Sequence, residues 1–495
     1  MTDRRDLQLV LRSGVPIVVI QTADEGRFLE QLMELHASSS AQDYRPLFRW
    51  SVTDGLQRLD LALEAQRHNA EPTEVLRHIR ALSKPGIFAL LDFHPFLSDP
   101  VNTRLLKDIA IDGGRVGTVI LLISHELELP PELRGLSAHF EVKLPDEATR
   151  RRIVQAALAD YESEHPAERL RVDSKALDLL VRNLGGLSHA DTERLARNAI
   201  YQDGAITAND IPAVMQAKYQ LLNRGGVLSY EYDTVQFNEI AGFRSVKVWL
   251  QQRRLAFTAD RPEGLDAPKG ILLLGVQGCG KSLAAKGAAS IFGVPLLRLD
   301  FGALYNKYHG ETEKNLRQSL QTSEVMSPCV LWLDEIEKGL SVGEADGGTS
   351  RRVLGSLLTW MAERASNVLL VATANDVRAL PPELIRKGRF DEIFFVDLPT
   401  PAQRGEILTI HMARRGLDQA AFDLPMLVDA SDAFSGAELE QAIVSALYAA
   451  HAQNQAPGTT HLMAELRKTR PLAIMMRERI DELRQWARDR TVAAH

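Results

Sequence analysis

The sequence predicts an α/β fold in which helices cover both faces of a parallel sheet. Three observations carry the prediction. Short apolar runs, such as those at 119–123 and 271–274, alternate with longer segments of helical period along the whole chain. One run leads directly into a glycine-rich turn and a helix-like stretch, and two others end in acidic or amide side chains. Composition supports a core of the required size. The chain has 495 residues, of which 45% are hydrophobic and 25% charged, enough for roughly two to four domains. Its only cysteines, Cys279 and Cys329, exclude a disulfide scaffold and point to a reducing cytoplasm. The apolar runs fall short of the roughly 18 residues that span a bilayer, so we expect no membrane span. The opening MTDRRDLQLVLRSG lacks a signal-peptide core. Lys and Arg number 58 against 65 Asp and Glu, a net charge of −7 with no long basic block. That balance argues against a dedicated nucleic-acid binder. The triplet Arg150 to Arg152 reads as a solvated helix start.

In chain order, VPIVVI at 15–20 is strand-like and is followed by QTADEGRF, which has neither a glycine cradle nor a Gly-Lys pair. IFALLDF carries Asp92 and Phe93, and a third run ends at Ser124. The second half repeats this plan. VILLISHELELPPELRG and VLLVATANDVRALPPELIRKG share LPPEL after an apolar strand, FEVKLP matches FFVDLP, and NLGGLSHADTERLARNAI pairs with DAFSGAELEQAIVSAL. Three matches in one order suggest an internal duplication, the alternative being coincidence between two α/β domains. If it is a copy, the first half has Asp92 where the second has its first acid, Phe93 where the second has its base, and Ser124 where the second has Asn375. It is then expected not to hydrolyse nucleotide. RGGVLSYEYDT combines two glycines with no clear period and reads as a linker.

The strongest motif is Gly275-Val276-Gln277-Gly278-Cys279-Gly280-Lys281-Ser282, with Leu283 continuing into a helix-like run. It follows GILLL at 270–274, and strand, glycine turn and helix together make a phosphate-binding loop, whose backbone N–H groups close around phosphate oxygens. Lys281 would neutralise the terminal phosphates, and the Ser282 hydroxyl would join a Mg²⁺ shell. CVLWLDEIEKG then places Asp334 and Glu335 after an apolar strand. Asp334 suits the metal and Glu335 suits a general base. VLLVATAN ends at Asn375, whose amide can orient the same water.

These residues resemble the AAA family of ATPases over 237–450. The resemblance implies a P-loop AAA+ module, a parallel sheet with flanking helices and a small helical lid, preceded by a degenerate AAA-like α/β domain. It implies ATP and Mg²⁺ as cofactors and hydrolysis to ADP and phosphate. Ile240-Ala241-Gly242 stands where the family contacts adenine, Lys281 and Ser282 match Walker A, Asp334 and Glu335 match Walker B, and Asn375 matches sensor 1. LPPELIRKGRFDEIF places Arg386 and Arg389 on arginine-finger positions, which reach a neighbouring subunit in a homo-oligomeric ring, usually a hexamer. FSGAEL resembles the lid turn in which Gly436 or Ala437 packs near the nucleotide. LYNKYHGETEKNLRQ resembles the first pore loop, with Lys307, Tyr308 and His309 at its tip, and SVGEADGGTS the second. Val276 and Gln277 replace two common prolines and Cys279 a common threonine, changes that leave the glycines in place. Together with RPLAIMMRERIDELRQWARDRTV, these motifs resemble an AAA subfamily named for a hypothetical reading frame of algal plastid genomes and shared with many bacteria. The work implied is remodelling or unfolding of a protein client. A nucleotide-gated scaffold and a clamp-loader-like DNA ATPase are the alternatives.

The expected partition is a degenerate domain at 1–222, a linker at 223–236, the ATPase core at 237–400, the lid at 401–455 and a helical extension at 456–495. In that extension Met476, Ile480, Leu483 and Ala487 form one apolar stripe, read as packing onto the preceding domain. Cys279 carries two readings: a small packing residue, or a helix-end thiol of lowered pKa open to redox control.

Overall fold

Apolar runs become strands here because helices cover both of their faces, so no polar alternation is needed. The computed structural model describes residues 2–22, 24–38, 44–61, 68–82, 84–125, 127–167, 170–223, 227–232, 236–257, 263–301, 304, 312–340, 349–386 and 388–495. The chain divides into two compact units, Met1–Pro166 with Gly186–Asn198, and Ala167–Gly185 with Ala199–His495. Residues 167–185 and 199–222, expected with the first domain, therefore go with the second unit.

The first unit contains β1 (Ile17–Gln21), β2 (Leu47–Ser51), β3 (Gly55–Arg58), β4 (Ile87–Leu91), β5 (Val119–Ser124) and β6 (Ser137–Glu141), in the order β3-β2-β4-β5-β1-β6. All neighbours are parallel except β3, which runs antiparallel to β2. The second unit opens with a short parallel pair, β7 (Arg171–Val172) and β8 (Ala205–Ile206). Its large sheet contains β9 (Leu228–Glu231), β10 (Gly270–Gly275), β11 (Leu296–Asp300), β12 (Cys329–Asp334), β13 (Val368–Ala374), β14 (Glu392–Val396) and β15 (Val492–Ala493), in the order β15-β14-β10-β13-β12-β11-β9. Strands β10 and β13 are buried throughout.

The five central parallel strands follow one plan in both units. β2-β4-β5-β1-β6 and β11-β12-β13-β10-β14 each insert the first strand between the last two. The backbone also corrects one expectation. Glu335 leaves β12 with φ +46° and Asp92 leaves β4 with φ +46°, so Asp92 occupies the position of Glu335 and buried Leu91 that of Asp334. At the matching turn the first unit thus has Leu91 where the second has Asp334 and an acid, Asp92, where it has Glu335, and Phe93 is a core residue.

Three other expectations change. The stretch read as a linker contains β9, because β11 leaves an edge with unpaired backbone groups and Leu228 is apolar enough to be buried there. The lid has four helices, Pro401–Arg414, Leu424–Ala430, Gly436–Ala452 and Thr459–Lys468. The fourth lies in the expected extension, yet its Leu462 and Leu466 join Leu408, Met412, Leu427 and Leu439 in one core. Helix Arg477–Ala487 buries Ile480, Leu483 and Ala487 along its stripe while Met476 is half-buried, and Ile480 enters the core of the sheet. After it, β15 pairs with β14.

Candidate functional site

The chain leaves β10 at Gly275, whose φ is +156°; a Cβ there would lie 2.0 Å from the Val396 carbonyl oxygen. Only glycine lets the two strands come this close. Gly278 and Gly280 adopt φ of +78° and +85°, and helix Lys281–Phe292 begins at once, turning its free N–H groups toward the loop. Lys281 is buried and folds back, its Nζ donating to the carbonyls of Gly275 at 2.9 Å and Val276 at 2.8 Å. Burial pushes its pKa down to about 8, against the raising influence of Cys279, Glu337, Glu335 and Asp334. A desolvated cation beside a ring of N–H donors fits an anionic phosphate. Cys279 is buried in the core, and burial pushes its thiol up to about 12. The lowered-pKa reading is overturned: desolvation outweighs the helix end, and the residue packs.

Asp334 ends β12 with both carboxylate oxygens engaged. Oδ1 accepts from Thr373 Oγ1 at 2.8 Å and Oδ2 from Arg298 Nη2 at 2.9 Å. Thr373 Oγ1 also accepts the Glu335 N–H at 3.0 Å. Glu335 Oε1 accepts from Asn375 Nδ2 at 3.2 Å, so the structure brings these two expected partners together. The other Glu335 oxygen pairs with Lys338. Glu337 is buried and its Oε1 accepts the Asn375 N–H at 2.8 Å. Burial raises its pKa, and its Oε2 has no hydrogen-bond partner among the described residues. Sequence reading missed Arg298, Thr373 and Glu337. Only Thr373 carried a signal, standing two residues before Asn375 and so on the same strand face. Exposed Ser282 and Asp334 both line the cleft, and a hydroxyl with a carboxylate is the sparse, hard oxygen set that suits Mg²⁺ held jointly with phosphate.

Lys281, Ser282, Asp334, Glu335, Thr373 and Asn375 line a cleft of about 370 Å³. Ile240, Ala241 and Phe243 form part of its wall, as do Gln277, Gly278, Leu283, Gly436 and Ala437. The lid reaches the loop directly, since Ala437 N–H donates to the Gly278 carbonyl at 3.0 Å. Ser435 and Glu438 form a capping box that starts helix Gly436–Ala452 there. Ile407, Ile410 and His411 from the first lid helix and His495 beyond β15 also line it and were not foreseen. His411 lies 3.4 Å from Glu440, and burial lowers its pKa against that carboxylate's pull.

Comparison with known proteins agrees with this geometry. Residues 271–398 match the family model described as ATPase family associated with various cellular activities (AAA). Residues 3–142 and 148–225 match the N-terminal and second domains of SpoVK-like AAA ATPases. The chain is 34% identical over 499 residues to the uncharacterized AAA domain-containing protein ycf46 of Pyropia yezoensis, covering 99% of this chain and 98% of that one. It is 34% identical over 488 residues to the protein of the same name from Trieres chinensis, covering 97% and 96%. The chain belongs to the AAA ATPase family. A partial likeness, 29% over 337 residues, links it to cell division control protein 48 homolog B of Arabidopsis thaliana, covering 63% of this chain and 53% of that one.

The arginines expected of an AAA ATPase stand apart from the cleft. Arg386 is exposed and Arg389 half-buried, its Nη1 donating to the Leu358 carbonyl, and neither is among the residues lining the cleft. Lys307, Tyr308 and His309 lie outside the described residues, as do 341–348 of the expected second pore loop. Among the described residues, no helix is long and apolar enough to cross a membrane.

Proposed function

We propose that this AAA ATPase binds ATP with Mg²⁺ in the cleft, hydrolyses it to ADP and phosphate, and works as a ring that remodels a protein client. The observation that carries the reading is a Glu335 carboxylate hydrogen-bonded to Asn375 beside the buried Lys281 ammonium of a glycine cradle. Ser282 and Asp334 hold the metal, which supplies charge neutralisation at the phosphates when bound. Lys281 meets the β- and γ-phosphates. Gly275 to Leu283 enclose them, Ile240 and Ala241 face the base with Gly242 turning the loop behind them, and Gly436 and Ala437 close the lid. Glu335 takes the proton of the attacking water, and the Asn375 amide fixes the carboxylate and water in line with the γ-phosphorus.

Arg386 and Arg389 serve the site of a neighbouring copy, a reading supported by their absence from the cleft of their own chain. The first unit lacks a glycine cradle after β1 and is assigned to docking, assembly or regulation instead. Glu335→Gln should bind ATP as tightly as the unaltered protein and turn it over at least roughly 100-fold more slowly. Full turnover by that variant would remove Glu335 as the base. Tyr308→Ala should abolish client remodelling while leaving ATPase activity; remodelling that survives it would favour a nucleotide-gated scaffold.

A further inference from the structure

The loop on the base side of the cleft is held in a conformation its own sequence disfavours. Gly242 has φ +73° and Phe243, next to it, φ +54°. A left-handed phenylalanine is strained, and such strain persists only where the surroundings over-determine it. Here the holding contact comes from residue 495. Phe243 N–H donates to His495 Nδ1 at 3.2 Å, and the two rings lie 5.2 Å apart at 60°. A Cβ on Gly242 would come within 2.7 Å of His495 Nδ1. Burial lowers the imidazole pKa against the pull of Asp397, which favours the neutral ring, and the Phe243 N–H facing Nδ1 fits the tautomer with its proton on Nε2.

Strand β15 delivers this ring. Ala494 N–H donates to the Phe395 carbonyl at 2.9 Å, and Ser245 N–H to the Ala494 carbonyl at 3.2 Å. The same segment grips the other walls of the cleft. Arg484 Nη2 reaches Asp397 at 2.9 Å, just past β14. Arg479 Nη2 reaches Asp376, beside Asn375, at 2.7 Å. Leu472 N–H donates to Glu438 of the lid at 2.7 Å.

We propose that His495 is a positioning residue for nucleotide binding, holding the Ile240 to Phe243 loop in the shape that receives the base and so tying β15 docking to nucleotide affinity. The inference rests on the reading of the cleft as an ATP site. It concerns the base side, so its loss acts on ATP and ADP alike and spares the hydrolytic step.

The test uses the full chain. His495→Ala should weaken ATP and ADP binding equally, by roughly threefold to tenfold, the weight of about one hydrogen bond. The loss should fall on KM rather than kcat, and discrimination between ATP and GTP should narrow. His495→Asn, whose Oδ1 can accept from Phe243, should restore most of the affinity. In the unaltered protein, ADP should slow hydrogen exchange at the amides of Phe243, Ser245 and Ala494. Unchanged affinity in a folded His495→Ala protein, or unchanged exchange at these amides on ADP binding, overturns the proposal alone. An unaltered chain that binds neither ATP nor ADP overturns the reading of the cleft with it.

Discussion

Lys281 sits within about a unit of losing its charge at neutral pH, because burial strips its hydration while two loop carbonyls replace only part of it. An arriving phosphate favours the charged form, so binding at alkaline pH must take up a proton. The sign follows: affinity is full below pH 8 and falls as pH rises through that value in the empty protein. ATP should bind roughly tenfold more weakly at pH 9 than at pH 7. Calorimetry in buffers of different ionisation enthalpy should record net proton uptake at pH 8.5, and its absence would mean the lysine is not the group that titrates. Lys281, Asp334, Glu335 and Asn375 could be named from the sequence because each ends a contiguous strand and turn. Arg298 could not, since its contact with Asp334 depends on β11 lying beside β12 in register.

The elements of the second unit are joined by a charge that periodicity cannot reveal. Lys218, on helix Asp210–Leu222, is fully buried, and its Nζ donates to the carbonyls of Asn183 at 2.9 Å, Gly185 at 2.6 Å and Val325 at 2.6 Å. Asn183 and Val325 end helices Ser174–Asn183 and Thr312–Val325. An ammonium there satisfies carbonyls that no later helical turn can bond and meets the negative ends of both helix dipoles. Lys218→Met deletes these bonds while filling most of the volume, and by leaving buried carbonyls unsatisfied should destabilise by about 1 to 3 kcal/mol. Denaturant unfolding followed by tryptophan fluorescence would measure it. A change below about 0.5 kcal/mol, the scatter of surface substitutions, would mean the carbonyls find other donors. A lysine on a helix ordinarily faces water; its burial here comes from three segments meeting.

For the molecule as a whole, two units share one strand order while a single glycine cradle is present after their first strands. The proposal that Arg389 completes a neighbour's site makes the assembly part of the chemistry. Arg389→Ala should leave ATP affinity unchanged and lower turnover by about 10³-fold. Mixing it with Glu335→Gln should recover activity, since the second variant lends its arginine to a site that keeps its base. Two inactive variants that stay inactive together, measured by phosphate release, would place Arg389 in a role within its own chain, such as its bond to Leu358.

By itself the sequence determined the α/β class and the P-loop AAA module and marked the candidate residues of its phosphate and acid motifs, because glycine turns and strand-ending acids are local features whose chemistry follows from neighbours in the chain. The duplicated plan was visible through LPPEL and the paired strand ends. Only the tertiary structure decided that Asp92 matches Glu335, since a positive φ, not a letter, marks the position where the chain turns. It likewise decided that Cys279 is buried and packs in the core beside the cleft, that the segment around Leu228 is an edge strand, and that His495 reaches the cleft. Each depends on which distant segment supplies a hydrogen bond or excludes water, and that is set by packing and strand register.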